Sequence, residues 1–393
     1  MRGVTRNAIV FGLHPWSGPF RLGAHQLASA LQRADFRVLF VAPPLSPPHI
    51  AAAAISASVR VRWREYFTRI EDQGVRVIAP FTWVPLSAHC GANSRRNLSA
   101  WPALTMPSLK QAFEHLGFDR PDLAIIDGPL QVAAAQLADP KRLVFRIFDR
   151  FSHMPGVTPA LMDLAHHSAE SADLVIYSAR TLERDAKSLG AKRLLYLPNG
   201  VDADHFARPA PEPQEYATIP RPRAVYVGQT GALFDITLLA RTAQNLAHVS
   251  FVVIGPGRPA LAPLARLPNV HVLGPRKWTD LSPYLQHCDV GLVPFAVHAQ
   301  RDYADAINPL KIYEYMAAGL PVVATRWAEL EQLEAPGLYL GDGPTFIDEV
   351  SAALGAAAPR EALRAYARSQ SWDQRTQTLL RILSEQQRTL GGD

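Results

Sequence analysis

Lys311 and Glu314 stand three residues apart in the stretch Asn308-Pro309-Leu310-Lys311-Ile312-Tyr313-Glu314, so on a helix they share one face. A lysine beside a helix N-terminus attracts phosphate, because free backbone N–H groups and the helix dipole both favour an anion. A carboxylate one turn further on can accept both hydrogen bonds of a ribose diol. On an ordinary surface helix the same two residues form a solvated ion pair, and the spacing alone leaves both accounts open. Asp149 ends the run Leu143-Val144-Phe145-Arg146-Ile147-Phe148, where a carboxylate can take the proton of an attacking hydroxyl. A helix cap or a turn former also suits that position. Arg21 and His25 lie four apart and face one way near the end of the first apolar run. They read either as functional groups at a ligand-binding edge or as a surface arginine and a satisfied histidine. Gly228-Gln229-Thr230-Gly231 lets backbone approach a phosphate or sugar closely.

These groups need a scaffold that gathers strand ends. Short apolar runs at residues 7–13, 37–42, 75–79, 123–127, 142–148, 174–178 and 193–197 read as buried parallel strands, with a helix over 21–33. A second series follows at 224–228, 251–255, 270–273, 289–294 and 322–325. Between the series, residues 207–222 are rich in proline and polar side chains, which predicts a linker. Asn308 is expected to cap a helix, with Pro309 at its first position, Gly319 as its stop and Pro321 preventing its resumption. The βα alternation predicts two α/β units whose ligands sit at the C-terminal ends of the strands. Asp149, the Gly228 loop and Gly274-Pro275-Arg276-Lys277-Trp278 all fall at such ends. The loop after the first strand carries no G-x-G-x-x-G, unlike a Rossmann dehydrogenase.

Composition narrows the partners. A chain of 393 residues with 48% hydrophobic content can bury two or three cores. Its net charge of +5 suits nucleic acid, an anionic membrane or a phosphorylated substrate, but the arginines are dispersed and form no nucleic-acid arm. The two cysteines, Cys90 and Cys288, lack metal-ligand spacing and do not suggest a disulfide framework, so a reducing cytoplasm is expected. No run reaches the length of a membrane span or of a signal-peptide core, so any membrane contact is expected to be peripheral. Residues 59–69 mix arginines with aromatics. That mixture reads as an amphipathic helix packing Trp63 and Phe67 on its own sheet, or as a peripheral helix at an anionic membrane. Residues 87–100, with Arg95 and Arg96, suit a loop holding an anionic ligand.

Residues 308–325 resemble the donor-nucleotide segment of GT-B glycosyltransferases, which often reads P-x-K-x-x-E-Y-M-A-x-G-x-P-V-V-A. The resemblance implies that Lys311 meets the donor diphosphate and Glu314 the ribose. Many retaining members carry another glutamate eight residues before the second of these, where this chain has Ala306. Leu143-Val144-Phe145-Arg146-Ile147-Phe148-Asp149 is similar to the L-V-Y-R-A-S-D segment of xanthan-type glucuronosyltransferases, membrane-associated inverting GT-B enzymes. The resemblance maps their proposed base onto Asp149. Their R-x-x-x-H matches Arg21 and His25, and their N-T-R-R-S-W resembles Asn93-Ser94-Arg95-Arg96. Pro198-Asn199-Gly200-Val201-Asp202-Ala203-Asp204-His205-Phe206 resembles the N-G-V-D-x-x-x-F signature between GT-B domains.

The implied fold is α/β GT-B: two Rossmann-like domains facing across a cleft. Its expected parts are an acceptor domain (1–200), a linker (201–222), a donor domain (223–372) and a last helix (373–393) crossing back onto the first domain. The implied donor residues are Gly228, Gln229, Thr230, Arg276, Lys277, Asn308, Leu310, Lys311 and Glu314. The implied catalytic residues are Asp149, His25 and Arg21. The expected activity is hexosyl or glucuronosyl transfer from a nucleotide-diphosphate sugar, UDP-linked, to a hydroxyl of a glycan, a glycolipid or lipid-linked sugar, or a small molecule. It is expected to proceed with inversion and without metal or a further cofactor, in the cytoplasm or at the inner face of the plasma membrane. A sugar-nucleotide epimerase of the same fold, or a non-catalytic nucleotide-binding or membrane-docking protein, is the alternative.

Overall fold

The apolar runs of the first half build one sheet. The computed structural model describes residues 6–54, 56–86, 94–154, 156–257, 260–356 and 359–390. Its first strands are β1 (Arg6–Phe11), β2 (Phe36–Val41), β3 (Ile70–Asp72), β4 (Val75–Ile78), β5 (Phe81–Thr82), β6 (Thr105–Met106), β7 (Leu123–Ile126), β8 (Leu143–Ile147), β9 (Leu174–Tyr177) and β10 (Leu194–Tyr196). Eight of them pair in the order β10-β9-β8-β7-β1-β2-β4-β3, and β5 and β6 make a separate ribbon. All pairs in the large sheet are parallel except the edge hairpin β3–β4. Strands covered on both faces can be apolar throughout, and β1 and β8 are, apart from Arg146 and the first residues of β1. Helix α1 (Gly23–Arg33) covers one face with Ala24, Ala28 and Leu31.

The second half supplies β11 (Arg223–Val227), β12 (Ser250–Ile254), β13 (Val270–Val272), β14 (Val290–Val293), β15 (Val322–Ala324) and β16 (Leu338–Leu340). Their order is β13-β12-β11-β14-β15-β16, all parallel. This is the Rossmann order, whose direction reverses between β11 and β14 and opens a crevice at their C-terminal ends. Two apolar clusters fill its two faces, one around Val225, Val252, Tyr313 and Met316, the other around Ala224, Phe251, Val253 and Phe346.

Two compact units result. One runs to Pro198 and takes in the chain from Trp372 onward; the other is Asn199–Ser371. The stretch expected to be a linker is folded into the second unit. Tyr216 and Ile219 are buried there, and Arg223 ties the segment down through Glu212 and the Tyr216 and Ile219 carbonyls. A proline-rich stretch can still pack, and this one includes a short helical turn at Gln214–Thr218. The last helix, Trp372–Leu390, belongs to the first unit, where Leu379 and Leu383 join the α1 cluster and Asp373 pairs with Arg33 at 2.8 Å.

Candidate functional site

The segment 308–325 folds as a helix, Leu310–Ala317, and then β15. Gly319 ends the helix at φ 86°, and the Leu320 N–H closes the turn on the Tyr315 carbonyl at 2.9 Å. The cap differs from expectation. Pro309 takes the N-cap position without a side-chain bond, and Asn308 is buried in a network instead. Its Oδ1 accepts the Asn199 N–H (3.2 Å), its carbonyl accepts from the Asn199 amide (2.6 Å), and its own amide donates to Glu329 Oε1 (3.0 Å). An amide with both ends engaged tertiarily has nothing left for a cap. Ala306 is fully buried, so a longer acidic side chain at that position would have to be accommodated inside the fold.

Lys311 stands over the crevice between β11 and β14. Its ammonium lies 4.4 Å from the Tyr226 ring centroid and 5.0 Å from that of Phe295, one ring from each strand's C-terminal end. Gly228 follows β11 with φ 146°, and its N–H donates to the Ile254 carbonyl at 3.0 Å. The loop after it is braced from within: the Tyr226 hydroxyl donates to the Gln229 carbonyl and the Thr230 hydroxyl to the Pro256 carbonyl. Gln229 is exposed and Leu310 half-buried at the start of the helix.

Glu314 lies one turn beyond Lys311. Its Oε1 accepts the Trp278 indole N–H at 3.0 Å, and the indole stacks on His205 with ring centroids 4.0 Å apart. Burial drives both charged groups toward neutrality: Lys311 is lowered to about 8, against the pull of Glu314. Glu314 is raised to about 7, against the Trp278 bond and Lys311. An ammonium beside a glycine backbone and a helix N-terminus, with a carboxylate one turn away, suits a phosphate joined to a diol. Arg276 sits nearby with its guanidinium engaged by Glu215 (2.9 Å), the Tyr284 hydroxyl (3.0 Å) and the Leu273 carbonyl (2.9 Å). Lys277 is exposed. Sequence reasoning passed over Tyr226 and Phe295; the signal was an aromatic at the end of each strand flanking the reversal.

In the first unit, Asp149 lies half-buried, two residues beyond the end of β8. On the same sheet edge Asp127, just beyond β7, pairs with Arg146 at 2.5 Å, both almost wholly buried. A charged residue inside an apolar strand run was the overlooked signal, because such a group is buried only with a partner. Arg21 and His25 are turned toward Trp16. Arg21 lies 4.3 Å over its ring and pairs with Asp72 at 2.6 Å. His25 is 1% exposed; Nδ1 accepts the Leu22 N–H (3.1 Å) and Nε2 is 3.1 Å from the Pro15 carbonyl. Burial, with Arg21 adding to it, lowers His25 to about 3, so it stays neutral and holds the 14–20 loop. Arg95 and Arg96 open a short helix, Arg95–Ala100, rather than a loop, and both are exposed. Asn93 and Cys90 lie outside the described residues. Among the described residues, no helix is long and apolar enough to cross a membrane.

Residues 221–355 match the family described as "Glycosyl transferases group 1". The chain is 27% identical over 220 residues to TuaH, a proposed teichuronic acid biosynthesis glycosyltransferase of Bacillus subtilis (strain 168), covering 52% of this chain and 55% of that protein. The chain thus spans little over half the length of that curated relative. Among solved structures it resembles sucrose-phosphate synthase from Thermosynechococcus elongatus, with TM-score 0.68 and 15% identity over 97% of this chain and 98% of that one. It also resembles Anabaena HepE in complex with UDP and glucose, with TM-score 0.66 and 15% identity over 97% and 100%. The chain therefore has a GT-B fold of two Rossmann-like domains, and its Lys311 crevice lies inside a stretch that matches the group 1 glycosyl transferases.

Proposed function

We propose that the protein transfers a hexosyl or glucuronosyl unit from a UDP-linked sugar to a hydroxyl of a glycan, a lipid-linked sugar or a small molecule, as a step in polysaccharide assembly. The observation that carries this reading is the convergence of Lys311, Gly228 and Glu314 at the β11–β14 reversal. Lys311 and the helix N-terminus would hold the diphosphate, and Glu314 the ribose diol. The acceptor oxygen attacks the anomeric carbon, the bond from that carbon to the diphosphate breaks, and the acceptor proton passes to Asp149. The negative charge that develops on the leaving diphosphate falls to Lys311 and the helix dipole, with no metal or further cofactor required. Single displacement of this kind inverts the anomeric centre; the methyl of Ala306, at the position where many retaining GT-B enzymes carry a glutamate, favours that course. We expect this reaction in the cytoplasm or at the inner face of the plasma membrane.

The test is a thermal-shift panel of UDP, GDP, TDP and ADP on the wild type and on Lys311→Ala. A ligand that binds only the folded state raises its melting temperature by mass action. UDP is expected to stabilise the wild type and not the variant, while Asp149→Asn keeps the UDP response and loses about 100-fold or more in kcat. No response to any nucleotide at millimolar concentration would remove the donor-site reading and favour the docking alternative, and a product of retained configuration would remove the inverting course.

A further inference from the structure

Between β14 and the Lys311 helix the chain has only two short turns, Val297–Ala299 and Arg301–Ala304, so no ladder or long helix fixes where it delivers that helix. The stretch after β15, Thr325-Arg326-Trp327-Ala328-Glu329, does so instead. The Thr325 hydroxyl oxygen accepts the Phe295 N–H at 3.0 Å, and Asp305 Oδ1 accepts the Ala328 N–H at 2.9 Å. The Trp327 indole N–H donates to the Ile307 carbonyl at 2.9 Å, and its ring stacks on Phe295 with centroids 5.4 Å apart. Glu329 completes the brace by accepting the Asn308 amide at 3.0 Å. The brace therefore reaches Phe295, which flanks the Lys311 ammonium, and Asn308, which precedes its helix.

Glu329 is the costly member. It is wholly buried, and an acidic side chain taken out of water is often no better for stability than an apolar one of similar volume. What it adds is direction. The Asn308 amide is committed to Glu329 and the Asn308 oxygen to the Asn199 N–H, which leaves that side chain one orientation. The Asn308 carbonyl accepts from the Asn199 amide at 2.6 Å, which holds the peptide leading into Pro309. Leu310 and Lys311 follow at once, in the first turn of a helix whose N–H groups have no side-chain cap. The orientation of Asn308 thus sets where those N–H groups and the ammonium point.

We propose that Glu329 is a positioning residue for the transfer: through Asn308 it aims the first turn of the Leu310–Ala317 helix, and with it Lys311, at the leaving diphosphate. Being wholly buried, Glu329 meets no substrate itself. The inference rests on the reading of this crevice as the diphosphate site. Its test compares Glu329→Leu, which removes the acceptor at similar size, with Glu329→Gln, which keeps an oxygen for the Asn308 amide. Melting temperature is titrated with UDP and with uridine, which has the ribose and base but no phosphate. Glu329→Leu should lose UDP affinity about tenfold and kcat about tenfold or more, because a charge-stabilising group out of place fails the transition state. Its uridine affinity should change by less than about twofold, since base and ribose bind away from this turn. Glu329→Gln should stay within about threefold of the wild type in all three measures. If Glu329→Leu does not fold, Glu329→Asp, one methylene too short to reach Asn308, makes the same comparison. No UDP response in the wild type would remove the site and the inference together. A wild type that binds UDP, beside a variant that loses UDP and uridine affinity alike or keeps both and merely melts lower, would make Glu329 a packing residue and overturn the inference alone.

Discussion

The Lys311 ammonium fills the space that a side chain at Gly228 would need: a Cβ built on Gly228 would lie 2.6 Å from Nζ and 3.2 Å from the Tyr226 hydroxyl. Lysine, glycine and tyrosine come from two segments over eighty residues apart, and the Rossmann order brings them together.

Gly228→Ala is therefore expected to disturb the nucleotide site with little effect elsewhere. The added methyl meets the lysine tip and sits on a backbone at φ 146°, a conformation that costs on the order of 1–3 kcal/mol for a residue with a side chain. UDP affinity should fall about tenfold or more, read from the concentration dependence of the thermal shift. Gly231→Ala is the control, since a Cβ there meets nothing within 4 Å. Equal losses in the two variants would mean that the loop as a whole, and not the Gly228–Lys311 contact, sets the affinity.

The opposed shifts of Lys311 and Glu314 set a narrow pH window for donor capture. Lys311, lowered to about 8, loses its charge above that pH; Glu314, raised to about 7, loses its charge below that pH. Both are charged only between, so kcat/KM for the donor should be bell-shaped with limbs near those values. The sign for stability follows separately. Folded Glu314 holds its proton where an unfolded glutamate has released it, so its contribution to stability falls as pH rises from the ordinary 4.5 to about 7. Glu314→Gln should flatten the acid limb of kcat/KM and raise the melting temperature of ligand-free protein at pH 8. A wild-type profile flat from pH 6 to 9 would contradict the pair's role.

Much of this was legible in the chain. The period of the apolar runs gave the strands, and Gly319 with Pro321 gave the helix end, because both are local properties. What was not legible depends on partners distant in sequence. Arg276 reads as a free cation until Glu215, sixty-one residues earlier, is found against it. Arg21 reads likewise until Asp72 is placed 2.6 Å away. Residues 59–69 left both an inward and an outward Phe67 open, and the structure leaves it 76% exposed because the Phe81 ring covers Trp63 and Tyr66 instead, a contact with a segment that the pattern of residues 57–67 does not report.

His25 is expected to behave as a structural histidine. Its folded pKa of about 3 lies below the ordinary 6.5, so between those values the unfolded chain takes up a proton that the folded chain refuses. Its contribution to stability is thus complete above 6.5 and is lost as pH falls toward 3. His25→Gln should melt lower than the wild type at pH 7.5, with the gap narrowing by pH 4.5, while kcat per folded molecule changes by less than about tenfold. A loss of 100-fold in kcat with an unchanged melting temperature would restore His25 to a role in the chemistry.

Trp278 is expected to act on the donor through Glu314. Its N–H bond at 3.0 Å favours the charged carboxylate and opposes the burial that neutralises it. Trp278→Phe keeps a ring for the His205 stack and removes only the donor. A hydrogen bond to a charged group is worth about 1.5–3 kcal/mol, so the Glu314 titration should rise by about one unit or more. At pH 7 the KM for the UDP-sugar should then increase severalfold, and the difference should shrink as the pH rises and the variant's Glu314 gains its charge. kcat should change little, because the carboxylate meets the ribose and not the bond that breaks. If the KM defect were the same at every pH, Trp278 would be acting as a surface for the base rather than as a partner of Glu314.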